Sequence, residues 1–291
     1  MEAIDYIAPR SLAEAYEALG NGKKTEFLAG GTDIIAQLRE GRRSCDQLLD
    51  LKHIPELMEY SFGADGSLDI GAAVPLAELY EDSQVQQRFP GLVDAASLIG
   101  GIQIQSRATL GGNICNAGPA ADTAPALIAL RTTAVIGSAG GTREIPVEEV
   151  FAGPSRNTLQ PGEILVKFHV PALGANANSF FLRFIPRNEM DIAVTNAGAM
   201  LRLNAAGDTI EDAKVSIGAV APTPLVVPAA AEALIGKPPG DEAFAAAGDA
   251  ARDAATPITD MRGSVAQRKH LARVLTIRAL NGALQRIREA N

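Results

Sequence analysis

Two stretches of this sequence set adjacent glycines beside hydroxyl and short polar side chains, a composition suited to holding an anion by backbone. The first is Phe27-Leu-Ala-Gly-Gly-Thr-Asp-Ile-Ile35, which reads as a strand running into two glycines and then into a helix that Thr32 can cap. Without Cβ atoms, Gly30 and Gly31 can take positive φ and let a ligand approach the backbone. A helix start leaves amides free and its dipole favours negative charge, so this site suits a diphosphate. Taken alone, the same signature fits an ordinary tight strand–helix turn. The second stretch is Arg107-Ala-Thr-Leu-Gly-Gly-Asn-Ile-Cys-Asn-Ala-Gly-Pro-Ala-Ala-Asp122. It reads as a poor helix and a poor strand, yet is too apolar for a solvated loop. Its amides need partners, which a buried polar ligand would supply. Asp122 is the only acid nearby. Its carboxylate could accept hydrogen bonds from a ligand's ribose or ring groups, or could cap a helix over Thr123 to Leu130.

These two loops, in this order and at this separation, resemble those of the FAD-binding subunits of molybdenum hydroxylases. That group includes the medium subunit of aerobic carbon monoxide dehydrogenase and the flavin domain of xanthine dehydrogenase. The likeness continues in Phe180-Phe-Leu-Arg-Phe-Ile-Pro-Arg-Asn-Glu-Met-Asp-Ile-Ala193 and in Pro257-Ile-Thr-Asp-Met-Arg-Gly-Ser264, so it spans nearly the whole chain. It implies an α+β protein with a two-part FAD-binding domain of the PCMH (vanillyl-alcohol-oxidase-like) type over 1–173, with subdomains of about 1–55 and 56–173. A C-terminal domain with a sheet and packed helices would follow over 178–288.

The resemblance also implies roles for particular residues. Leu28, Ala29, Gly30, Gly31, Thr32, Asp33 and Ile34 would wrap the FAD pyrophosphate. Thr109, Gly111, Gly112 and Asn113 would hold it from the other side and approach the flavin. Ile99, Gly100 and Asp122 would touch the cofactor, Leu165 would pack on the ring system, and Arg183 would stand where relatives commonly carry a Lys near the isoalloxazine. Three departures stand out. Ile185-Pro186-Arg187 replaces the usual Gly-Arg-Arg and makes the local backbone path uncertain, and Gly118 stands where Ser is common. With Cys45 and Cys115 alone, no cysteine-rich insertion for an extra iron–sulfur cluster is present. None of His53, His169 and His270 falls in the first glycine loop, where oxidases of this fold attach flavin, so the FAD is expected to be non-covalent. Molybdenum cofactor and [2Fe-2S] clusters are expected on partner subunits only, one large and one small, with electrons leaving to an external acceptor. A dimer of heterotrimers is the implied assembly. A self-sufficient flavoprotein oxidase or reductase of the same fold is the alternative.

The elements that must position these residues can be read from pattern. Strands are expected over 3–8, 25–29, 48–51 and 68–73. Ser11-Leu-Ala-Glu14 reads as a capping box ahead of a helix carrying Leu12, Ala15 and Leu19. Helices are expected over 32–39, from Pro75 and from Pro90. Strands around 134–136 and 164–170 close this part, with a linking segment over 173–178. Strand-like runs then cover 180–185, 193–203 and 213–219, and helices cover 241–255 and 265–288. In the last helix Leu271, Val274, Leu275, Leu280, Leu284 and Ile287 form the apolar stripe. Arg268, Lys269, Arg273, Arg278, Arg286 and Arg288 are read as its basic outer surface.

Composition excludes several classes. A net charge of −8 opposes an extended nucleic-acid surface. No apolar run nears the roughly 20 residues of a membrane helix. The start of the chain lacks the basic and apolar regions of a signal peptide, so the cytoplasm is the expected location. Gly20-Asn-Gly-Lys-Lys-Thr25 is not a P-loop, because the first glycine of GxxxxGK would fall on Glu17. No GxGxxG follows a strand, and no clustered His and Cys suggest a metal site.

Overall fold

A computed structural model of the chain describes residues 3–290. The first unit alternates strand and helix: β1 (Asp5–Ile7), α1 (Leu12–Leu19), β2 (Thr25–Leu28), α2 (Ile34–Arg39) and β3 (Gln47–Asp50). The strands pair in parallel in the order β1-β3-β2. At the start of α1, Ser11 Oγ accepts the Glu14 amide at 3.2 Å, but the Glu14 carboxylate reaches back to the Arg10 amide, one residue outside the expected box. Helix α2 begins two residues later than the pattern implied, so Asp33, not Thr32, occupies its N-cap position, without a side-chain cap bond.

The next unit holds α3 (Pro55–Met58), β4 (Tyr60–Phe62), β5 (Leu68–Gly71) and a run of short helices: α4 (Leu76–Glu81), α5 (Ser83–Arg88), α6 (Pro90–Ala96), α7 (Ile102–Gln105), α8 (Leu110–Asn116) and α9 (Thr123–Ala129). Then come β6 (Thr133–Ser138), β7 (Gly141–Pro146), β8 (Phe151–Gly153), β9 (Arg156–Asn157) and β10 (Ile164–Val170). An antiparallel sheet of order β4-β5-β10-β6-β7 packs against these helices around buried Leu76, Phe89, Leu92, Leu110, Leu127 and Phe168. The stretch read as neither helix nor strand contains α8, whose first turn Thr109 caps by accepting the Gly112 amide at 2.9 Å. The cap offsets the poor propensity of two glycines.

The last unit comprises β11 (Ala177–Phe184), β12 (Thr195–Leu203), β13 (Ile210–Gly218), β14 (Leu225–Val226), α10 (Pro228–Leu234), α11 (Asp241–Ala254) and α12 (Val265–Ala290). Its antiparallel strands pair in chain order and pack on α10–α12. Small residues Ala272, Ala279 and Ala283 share the buried stripe of α12 with Leu275, Leu280, Leu284 and Ile287, while Leu271 and Val274 are only partly buried. Arg268, read as surface, is buried: its guanidinium donates to the Val194 and Ala219 carbonyls at 2.7 and 2.8 Å and pairs with Asp260. Arg286 turns inward too. It clasps both oxygens of Asp94 on α6 at 2.7 Å and lies 4.3 Å above the Phe180 ring. Helix α9, buried along its whole length, packs against this sheet and gives Ala124, Leu127 and Ile128 to the core of the preceding unit.

Candidate functional site

Strand β2 delivers the chain to Ala29-Gly30-Gly31, where it must turn sharply into α2. Gly31 has φ +81°, a region that L side chains rarely adopt. Gly30 is required by a different constraint: a Cβ there would overlap the Arg107 carbonyl, so the first loop lies directly against the start of the second. Arg107 Nε donates back to the Gly30 carbonyl at 3.4 Å. The two glycine segments, 77 residues apart in sequence, therefore meet, and between them lies a cleft that opens to solvent.

Ala29, Gly30, Gly31, Thr32, Asp33 and Ile34 wall one side of this cleft, and Thr109, Gly111, Gly112 and Asn113 wall the other. Ile99 and Leu165 add apolar surface. The structure brings these twelve sequence-predicted residues together. The other four lie elsewhere. Leu28 is buried behind the first loop, its side chain against Gly31. Gly100 turns the chain between Ile99 and α7 without lining the cleft. Asp122 and Arg183 form a buried ion pair with each other, and Asn196 Nδ2 donates to the second Asp122 oxygen at 3.0 Å. Burial pushes the Asp122 carboxyl up, against the opposing pull of Arg183 and Asn196. Asp122 has helical φ and ψ and makes no side-chain cap bond, so it does not cap α9. The pair instead ties β11 to the start of α9. The next residue, Thr123, donates its hydroxyl to Asn113 Oδ1 at 2.6 Å, which carries this brace to the cleft wall.

The two loops treat their amides differently. Among the described residues, the N–H groups of Gly30, Gly31, Thr32 and Asp33 find no protein acceptor. Gly111, Gly112 and Asn113 donate to the Ala72 carbonyl, Thr109 Oγ1 and the Thr109 carbonyl at 3.0, 2.9 and 3.0 Å. The expectation that the second loop's amides await a ligand therefore does not hold there; a capped helix start has already taken them. Amides at a strand–helix turn that carry no protein partner and line a cleft are available to an anionic ligand.

The cleft has further walls that sequence reasoning missed. Gln37 lies one turn beyond Ile34, and Asn116 one turn beyond Asn113; they bond to each other at 3.1 Å across the two loops. That i, i+3 spacing was the available signal. Ile164 lines the cleft beside Leu165, at the start of β10. Cys115 reaches the wall with its thiol pushed up to about 12 by desolvation, a neutral group. Glu26 and Arg43 complete the lining and pair at 2.9 Å. Desolvation also raises the Asp33 carboxyl, against the pull of Arg42 and Arg43. Where the sequence departs at Ile185-Pro186-Arg187, the chain leaves the sheet and returns at Val194, whose amide meets the Phe184 carbonyl at 2.9 Å. Arg187 closes the turn on the Met190 carbonyl.

Comparisons with known proteins agree over the whole length. Residues 2–173 match the family described as the FAD binding domain in molybdopterin dehydrogenase, and residues 180–283 match the CO dehydrogenase flavoprotein C-terminal domain. The xanthine dehydrogenase FAD-binding subunit of Escherichia coli O157:H7 is 31% identical over 280 residues, spanning 96% of this chain and 95% of that one. The carbon monoxide dehydrogenase medium chain of Hydrogenophaga pseudoflava is 32% identical over 285 residues, spanning 97% and 98%. The solved carbon monoxide dehydrogenase from that organism superposes with a TM-score of 0.92 at 31% identity, over 97% of this chain and 98% of that chain. Quinoline 2-oxidoreductase from Pseudomonas putida 86 superposes with 0.89 at 28%, over 97% of each. With both its parts matched, the chain belongs to the FAD-binding subunits of the molybdopterin dehydrogenase family, the flavoprotein components of molybdenum-containing oxidoreductases.

Proposed function

We propose that this chain holds FAD without a covalent bond in the cleft between its glycine loops and relays electrons within a larger enzyme. Bound there, FAD would supply the electron-transfer chemistry, and the protein would supply position and electrostatics. The observation that carries the reading is the set of four unmet amides at Gly30 to Asp33, facing a second loop that Gly30 touches. Those amides would take the diphosphate oxygens. Asn113, fixed by Thr123, and the apolar Ile99, Ala72, Ile164 and Leu165 would orient the rest of the molecule and exclude water. No histidine lines the cleft among the described residues, which fits a non-covalent cofactor.

Electrons would arrive from [2Fe-2S] clusters on a small partner, fed by a molybdenum cofactor on a large one, and would leave to an external acceptor. The names of the relatives, medium chains and FAD-binding subunits, support a multi-chain enzyme. We place the assembly in the cytoplasm as a dimer of heterotrimers; no helix is long and apolar enough to cross a membrane. The test is reconstitution. The purified chain mixed with FAD should gain a flavin absorption band and quench flavin fluorescence, yet oxidise no substrate until the two partners are added. A colourless chain after reconstitution, or substrate turnover by the chain alone, defeats the proposal.

A further inference from the structure

The cleft presents a charge problem. Of the residues that line it, Glu26 and Asp33 carry carboxylates and only Arg43 is cationic, yet the first loop is arranged for an anion. Helix-start amides offer partial charge, but two carboxylates nearby oppose a diphosphate that brings two full negative charges. Arg43 is the one lining cation placed to offset part of that repulsion. After α2 the chain turns at Glu40-Gly41, and the amides of Arg42 and Arg43 both fold back onto the Gln37 carbonyl, at 2.9 and 3.2 Å. This returns Arg43 to the same wall as Asp33, whose carboxyl feels its charge. One Arg43 nitrogen, Nη1, bonds both oxygens of Glu26, at 3.2 and 2.9 Å. Nε and Nη2 meet no acceptor among the described residues, and neither is sealed from solvent. A guanidinium is a planar fork that loses little freedom when one edge is already fixed, and its open edge matches phosphate oxygens.

We propose that Arg43 grips the diphosphate of the bound dinucleotide, oriented by Glu26 through one nitrogen and free to donate through the other two. Arg43 is thus a cofactor-affinity residue, and Glu26 a positioning residue acting through it. This rests on the reading that the cleft takes FAD.

The experiment titrates the full purified chain, stripped of flavin, with FAD and separately with riboflavin. Flavin fluorescence is followed at several salt concentrations for wild type, Arg43→Gln and Arg43→Lys. Arg43→Gln should weaken FAD about tenfold or more, the scale of lost charge-assisted hydrogen bonds. It should leave riboflavin, which lacks phosphate, unchanged, and should flatten the salt dependence of FAD binding. Arg43→Lys should recover part of the loss. The inference is overturned if Arg43→Gln binds FAD as wild type does, or weakens both ligands equally. If Arg43→Gln does not fold, Arg43→Lys decides: a severalfold loss for FAD alone supports the inference, and an unchanged FAD affinity ends it. Failure of the wild type to bind FAD is a separate result and removes the parent reading.

Discussion

The first glycine pair, Gly30-Gly31, and the second, Gly111-Gly112, look alike in sequence but solve opposite problems. The first keeps four amides open and is shaped by backbone contact with its counterpart. The second is the start of a capped helix whose amides are occupied, and a Cβ on Gly111 would overlap the Ala72 carbonyl. One pair offers hydrogen bonds; the other offers a thin, firmly backed wall. A glycine pair therefore marks close approach, and only the fate of the amides says to what.

The backing of that second wall is where the largest effect is expected. Arg183 and Asp122 are both buried, and Asp122 adjoins the Thr123 that holds Asn113. Arg183→Ala strands a carboxylate in the interior, which costs about 3–5 kcal/mol when one partner of a buried pair is removed. Denaturant unfolding should show that loss, and a change of less than about 1 kcal/mol would mean that the brace does not support the wall. Arg183→Met, with Asp122→Leu in the same chain, should recover much of the stability, because apolar replacement of both partners is often neutral.

Next in size is Gly30→Ala. The added methyl meets backbone rather than a flexible side chain, so the loops must separate. Overpacking of this kind costs about 1–3 kcal/mol. Reconstitution with FAD should fail or weaken strongly, because separation moves the open amides away from the opposite wall. Full FAD affinity in Gly30→Ala would show that the two loops need not touch.

The two threonines sharpen the contrast directly. Thr109 caps its helix, and Thr109→Ala should lower stability by about 1 kcal/mol. Thr32 caps nothing, since the helix starts at Ile34, so Thr32→Ala should stay within about 0.5 kcal/mol of wild type in apo melting. Equal losses at the two positions would erase the proposed difference between the loops.

Much of this was legible from residue types. The strand–glycine–helix signature located the first loop, and long periodic elements such as α11 and α12 appeared where apolar spacing placed them. What escaped were features set by tertiary contact. Helix α8 contradicts its own glycines because Thr109 and Ala72 satisfy its first turn. Arg268 and Arg286 sit on a face that reads as basic and exposed, but carbonyls and carboxylates from distant strands and helices draw them inward. Arg183 is expected near the flavin by resemblance, and nothing local announces the Asp122, 61 residues away, that pairs with it. The three-residue β4 is too brief for periodicity to speak. Sequence pattern reports local periodicity well; it does not report which distant group a buried charge will find.

The smallest effect concerns the acid of the first loop. Asp33 lies at the open amides, and desolvation raises its carboxyl. An acid whose folded value is raised holds its proton more tightly in the native state. The folded chain therefore carries a penalty that is absent below the ordinary carboxylate range, grows as pH rises towards the raised value, and is then constant. Asp33→Asn should remove it, so the apo variant should match wild type in strong acid and slightly exceed it in melting temperature near neutrality. FAD affinity should follow the same sign. Ionised Asp33 repels a diphosphate, so wild-type affinity should rise as pH falls through the raised carboxyl, while the variant's profile flattens. If Asp33→Asn weakens FAD at every pH, the carboxylate instead accepts hydrogen bonds from the cofactor, and the first loop offers an acceptor as well as donors.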